Sequence, residues 1–86
     1  MTNEEIEKII KRAWQTKVED LTEAEKMLFE RRRLMMFVEK SIKENYQPDH
    51  KFYKFDQIAR PRDLARIAEI EKELNITTPF KTEEEL

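Results

Sequence analysis

The residues able to do chemistry in this 86-residue chain are few in kind. His50 is the single imidazole, and its neighbour Asp49 adds one carboxylate. One His beside one Asp is not a metal-ligand set, and no second His exists for the two-histidine helical zinc motif. The absence of Cys excludes thiolate metal sites, iron–sulfur clusters, disulfides and thiol catalysis. The absence of Gly removes glycine-rich phosphate loops and dinucleotide fingerprints. Ser41 is the only serine, late in a helical pattern and with no base placed to activate it. The many acids alternate with Lys and Arg as solvated helix faces do. The chain therefore reads as non-enzymatic, with no catalytic residue, metal, cofactor or small-molecule substrate expected.

Binding chemistry is better represented. The net charge is -2, but residues 31–66 carry ten Lys/Arg against five Asp/Glu, and both flanks are acidic. A basic middle between acidic ends marks an anion-binding surface, or a surface that the ends fold back over. Arg31, Arg32 and Arg33 lead this segment, and Lys51, Lys54, Arg60, Arg62 and Arg66 extend it. Lys51-Phe52-Tyr53-Lys54-Phe55 mixes aromatic and basic residues as single-strand stacking platforms do. Two facts weigh against nucleic acid. Three consecutive arginines on a helix point 100° apart, so they are not one patch. The isoelectric point of 5.5 is also acidic where nucleic-acid-binding domains are usually basic. The competing reading makes Phe52, Tyr53 and Phe55 anchors of a loop on the core, with the lysines solvated.

These residues need elements to position them. Thr2-Asn3-Glu4-Glu5 has the form of a capping box. Ile6, Ile9, Ile10, Ala13 and Trp14 then make one apolar stripe at helical spacing, which predicts a helix over about 3–16. A second capping box, Thr22 to Glu25 with Leu21 as staple, predicts a helix over about 23–45. The short link between them favours an antiparallel hairpin. Pro48 ends the second helix, and 47–60, without a clean period, is expected to be an irregular aromatic loop. Pro61 suits the first position of a third helix over about 61–74, with Leu64, Ile67, Ala68, Ile70 and Leu74 inward. Asn75 can close it in a left-handed conformation. Residues 77–86 end in Glu83-Glu84-Glu85 and are expected to form a flexible acidic tail, with Phe80 the residue placed to dock.

The expected fold is all-α, a small three-helix domain over 1–76. No apolar run approaches the roughly 20 residues of a membrane span. Met1 to Ile10 opens with acids, unlike a signal or transit peptide, so a cytoplasmic, membrane-free protein is expected. Leu21-Thr22-Glu23-Ala24-Glu25-Lys26 followed by Arg31 to Arg33 is similar to the helical hairpin of small bacterial proteins. Well-capped helices share those features, so the likeness assigns no family.

The central helix is the informative element, because its apolar residues do not share one face. Ala24, Met27, Leu28, Leu34, Met35, Val38, Ile42 and Tyr46 fall in one sector, the expected core face. Phe29 and Met36 lie nearly opposite, flanked by Arg32, Arg33 and Lys40, with Phe37 between the sectors. A helix apolar on two sides is buried on two sides, by its own fold or by another molecule. In the first case the third helix or the aromatic loop covers Phe29 and Met36. In the second, Phe29, Met36 and Phe37 are anchors of an interface rimmed by Arg32, Arg33 and Lys40. Arg31 points into the core sector, so its guanidinium must snorkel out or pair with an acid such as Glu71. The leading expectation is a protein–protein interaction module, a small regulator or inhibitor among bacterial or phage accessory proteins. Lys51 to Phe55 would be its secondary loop. The alternatives are a nucleic-acid-binding accessory factor using 31–66, and a structural homo-oligomer or homodimer paired through the second stripe.

Overall fold

The computed structural model describes residues 1–82. Among them are three α-helices and no strand: α1 (Asn3–Ala13), α2 (Glu23–Glu44) and α3 (Tyr53–Glu73), with a single 3-10 turn at Val18–Asp20. No helix of the described residues is long and apolar enough to cross a membrane.

Both predicted N-caps form. Thr2 accepts the Glu5 amide at 3.3 Å. Thr22 and Glu25 make the reciprocal capping box, with N–H···O distances of 3.1 and 2.8 Å. The α1 helix stops at Ala13 rather than 16, because Gln15 and Thr16 donate to Arg12 and Ala13 in tightened turns. With no Gly available, two asparagines supply the left-handed backbone. Asn45 (φ 47°) closes α2 and Asn75 (φ 52°) follows α3.

The expected start of the third helix is corrected. Residues 53–60 are not an irregular loop but the first two turns of α3, and Pro61 lies inside the helix. Proline there lacks the N–H that would reach the Gln57 carbonyl. Tertiary contacts offset that loss, with Asp56 and Ala59 buried and both Asp56 and Arg60 bonded to Ser41 of α2, and a local pair of Arg60 with Asp56 one turn back at 2.9 Å adds to them. Tyr53, Lys54 and Phe55 are therefore helical, and only Lys51 and Phe52 precede the helix.

The core has two clusters. Ile6, Ile10, Leu28 and Ile76 join α1, α2 and the segment after α3. Leu34, Val38 and Ile67 join α2 to α3, with Phe80 packed against them. Glu30 and Arg31, early in α2, pair with Arg66 and Glu71 late in α3, whereas Ser41, late in α2, pairs with Asp56 early in α3, so these two helices run antiparallel. Arg31 is only 5% exposed, and it is neutralised by Glu71 rather than snorkelling.

Residues 77–82, the first part of the expected tail, are hydrogen-bonded to the rest of the fold. The Thr77 amide donates to the Met1 carbonyl at 2.8 Å, and the Thr78 hydroxyl donates to Asn3 at 2.8 Å. The Phe80 amide donates to Glu71 at 2.7 Å, and Thr82 is buried. Composition concealed this because the anchors are backbone groups, two threonine hydroxyls and one part-buried carboxylate. Glu83-Glu84-Glu85, the acidic part of the expected tail, lies outside the described residues.

Candidate docking groove between α2 and the start of α3

Extending α3 back to Tyr53 brings its first turns alongside the second half of α2. Between them lies an open groove of about 840 Å³. Leu34, Val38 and Ala59, all buried, form its floor. Phe37 enters from α2 and Phe52 and Phe55 from the α3 side, with Tyr46 at the end where the helices are joined. Phe37 is 54% exposed and Phe55 65%, so the groove holds apolar surface that its own fold does not cover.

The joining segment is held by its aromatic side chains. Tyr46 stacks on His50 with ring centres 4.6 Å apart, and Phe52 meets Tyr46 edge-on at 5.8 Å. The Phe52 amide donates to His50 Nδ1 at 3.1 Å, and the Lys51 ammonium sits 5.1 Å from the Phe52 ring centre.

Beneath the aromatic wall, Ser41, Asp56 and Arg60 form a closed network. The Ser41 hydroxyl donates to Asp56 Oδ1 and accepts from Arg60 Nε at 2.9 Å, while Arg60 Nη2 donates to Asp56 Oδ2 at 2.9 Å. No buried polar side-chain atom among the described residues lacks a partner, so the cluster positions α3 against α2. Asp63 takes Arg62 at 3.6 Å. Both acids lining the groove are thus engaged with cations. Arg33 and Lys40 also line it, and neither makes an ion pair among the described residues. Nearer the start of α2, Glu30 is bound by Arg66 of α3 through two N–H groups at 3.0 and 2.9 Å. Those hydrogen bonds hold the Glu30 carboxyl below the ordinary range, and the cations Arg66 and Arg33 act in the same direction against partial burial.

The interface set expected on α2 is split. Arg33, Phe37 and Lys40 line the groove, at helical spacings of four and three residues. Phe29 does not. It is partly buried against the first core cluster and meets Trp14 edge-on at 5.6 Å, so α1 covers it, neither the third helix nor the aromatic segment. Arg32 reaches Glu7 of α1 at 3.4 Å. Met36 is 63% exposed and faces outside the groove. Of the secondary set, Phe52 and Phe55 line the groove, whereas Lys51, Tyr53 and Lys54 do not. The periodicity reading missed Tyr46, Asp56, Ala59, Arg60 and Arg62 as groove residues. The i, i+4 spacing of Asp56 and Arg60 was the available signal for a helix there, and Pro61 masked it.

Among the described residues, no group of three or more His, Asp or Glu side chains is arranged to hold a metal ion. The groove is an apolar trough with Arg33 and Lys40 on its α2 side. No protein-family model, curated protein or solved structure matches this chain, so a functional reading rests on the groove's own chemistry.

Proposed function

We propose that the protein is a non-enzymatic protein–protein interaction module, a small regulator that docks a segment of another protein in the groove between α2 and α3. The observation that carries this reading is the convergence of Phe37, Phe52 and Phe55 from two elements onto one uncovered trough. Aromatic anchors around a concave apolar surface are what interface hot spots are made of. The docking face is Arg33–Phe37–Lys40, displaced from the Phe29–Met36 stripe because α1 already occupies Phe29.

Single-stranded nucleic acid is the weaker reading. Tyr46, His50 and Phe52 pack on one another, leaving fewer ring faces for bases. Asp56 and Asp63 stand in the groove where a phosphate backbone would run, and they engage Arg60 and Arg62.

The test is a selection of peptides from a random display library on the folded protein, with a Phe37→Ser/Phe55→Ser variant as counter-screen. Peptides that bind the wild type and lose at least tenfold affinity on the variant, at unchanged helicity, support the reading. Failure to select any groove-dependent peptide, together with oligonucleotide binding that falls steeply with salt, would replace it by the nucleic-acid reading.

A further inference from the structure

Resting on the docking reading, we infer that the occupant of the groove is an amphipathic helix of a partner protein, with carboxylates along the flank that meets Arg33 and Lys40.

Helical form follows from the groove's lining. An extended segment would lay unpaired N–H and C=O groups against Phe37, Phe52, Phe55 and Leu34, and no strand edge exists among the described residues to take them. A helix satisfies its own backbone and presents side chains alone. The size agrees. A helix about 11 Å across with a 5.4 Å turn fills roughly 500 Å³ per turn. Half-sunk, about three turns of it fill the 840 Å³ groove. Three turns give apolar anchors at i, i+4 and i+7 for the three phenyl rings.

The charge assignment follows from pairing. Arg60 and Arg62 are engaged by Asp56 and Asp63, so the α3 side is electrostatically satisfied. Arg33 and Lys40 are exposed and make no ion pair among the described residues. Seven residues apart on α2, they stand about 10 Å apart along the helix axis. Carboxylates seven residues apart on the occupant's flank match that spacing.

The test uses three 14-residue helical peptides with one apolar face and Glu, Gln or Lys at the two flank positions, measured by fluorescence anisotropy at moderate salt. The Glu peptide is expected to bind at least tenfold more tightly than the Lys peptide. An Arg33→Glu/Lys40→Glu variant should reverse that order while its circular dichroism is unchanged. Equal binding of all three, lost on Phe37→Ser/Phe55→Ser, would overturn the acidic flank and leave the docking reading standing. Binding by none of them would overturn this inference, and with it the docking reading if the display selection also fails. Displacement of the Glu peptide by a thymidine oligonucleotide that binds more tightly would assign the groove to nucleic acid. A concentration-dependent dimer in light scattering that Phe37→Ser dissolves would assign it to a second copy of the chain. Either result overturns the inference.

Discussion

Arg31 of α2 and Glu71 of α3, forty positions apart, meet in the interior with two guanidinium N–H groups on a single carboxylate oxygen at 3.0 and 2.8 Å. The same oxygen accepts the Phe80 amide at 2.7 Å, so one carboxylate ties α2, α3 and the C-terminal segment together. Removing one partner strands a charge out of water, and Glu71→Ala should cost about 3–5 kcal/mol. The double variant Arg31→Met/Glu71→Leu should recover most of that loss, because no charge is then left buried. Its residual deficit belongs to the Phe80 amide. Urea denaturation of the two variants measures both quantities.

The pair also marks where sequence reasoning reaches. Arg31 in an apolar sector demands a counter-charge, and Glu71 interrupts the apolar face of the third helix, so both ends of the contact were legible. The capping boxes were legible because their signals lie within four residues. The first turns of α3 were not. Their helicity depends on Ser41, fifteen positions away, against a local proline that argues for a break. The groove was hidden for the same reason, since Phe55, Asp56, Ala59 and Arg60 of its lining come from those turns. Phe29 and Met36, equivalent by helical angle, diverge because α1 packs over only one of them.

That divergence is measurable. Phe29→Ala removes a ring packed on Trp14 and the first core cluster and should cost about 2 kcal/mol. Met36→Ala should stay within about 0.5 kcal/mol of wild type, as expected for an exposed side chain without partners. Trp14, the single tryptophan, supplies the readout: its emission should change in the first variant and not in the second.

Pro61 is a second point of leverage. Inside a helix it forgoes one backbone hydrogen bond and crowds the carbonyl of Gln57. Pro61→Ala should therefore raise stability, by about 1–3 kcal/mol, since alanine restores the bond at the best helical propensity. A lower denaturation midpoint for Pro61→Ala would mean that the proline bend itself fits α3 to α2.

Acid should weaken the α2–α3 contact at Glu30. Arg66 holds the Glu30 carboxyl below its ordinary value of 4.5, so the folded state favours the charged form more than the unfolded chain does. The contribution is complete above that pH and is lost as pH falls through the depressed folded value. Glu30→Gln should flatten part of the stability profile below pH 4.5 and leave the profile's shape above it unchanged. Both side chains are about one-third exposed, so the effect should shrink in high salt.

The groove's geometry depends on Asp56. The α3 helix begins without a side-chain cap, at Phe52, and Pro61 removes a hydrogen bond two turns later, so residues 53–60 have weak local support. What holds them is Asp56, bonded to Ser41 across the helix pair and to Arg60 along α3. In Asp56→Ala the Ser41 hydroxyl and the Arg60 guanidinium both lose their acceptor in a mostly buried setting, a loss of about 2–3 kcal/mol. The loss should fall locally. Amides of the first two turns of α3 should exchange faster with solvent, while those of Ile67 and Ile70 in the buried second half keep their protection. Phe55 would then leave its place in the groove lining opposite α2, and groove-dependent peptide binding should weaken by at least tenfold although neither Phe37 nor Phe55 has been altered. Uniform loss of protection along α3 would instead mean that the helix unfolds as one unit and that Asp56 supports the whole fold.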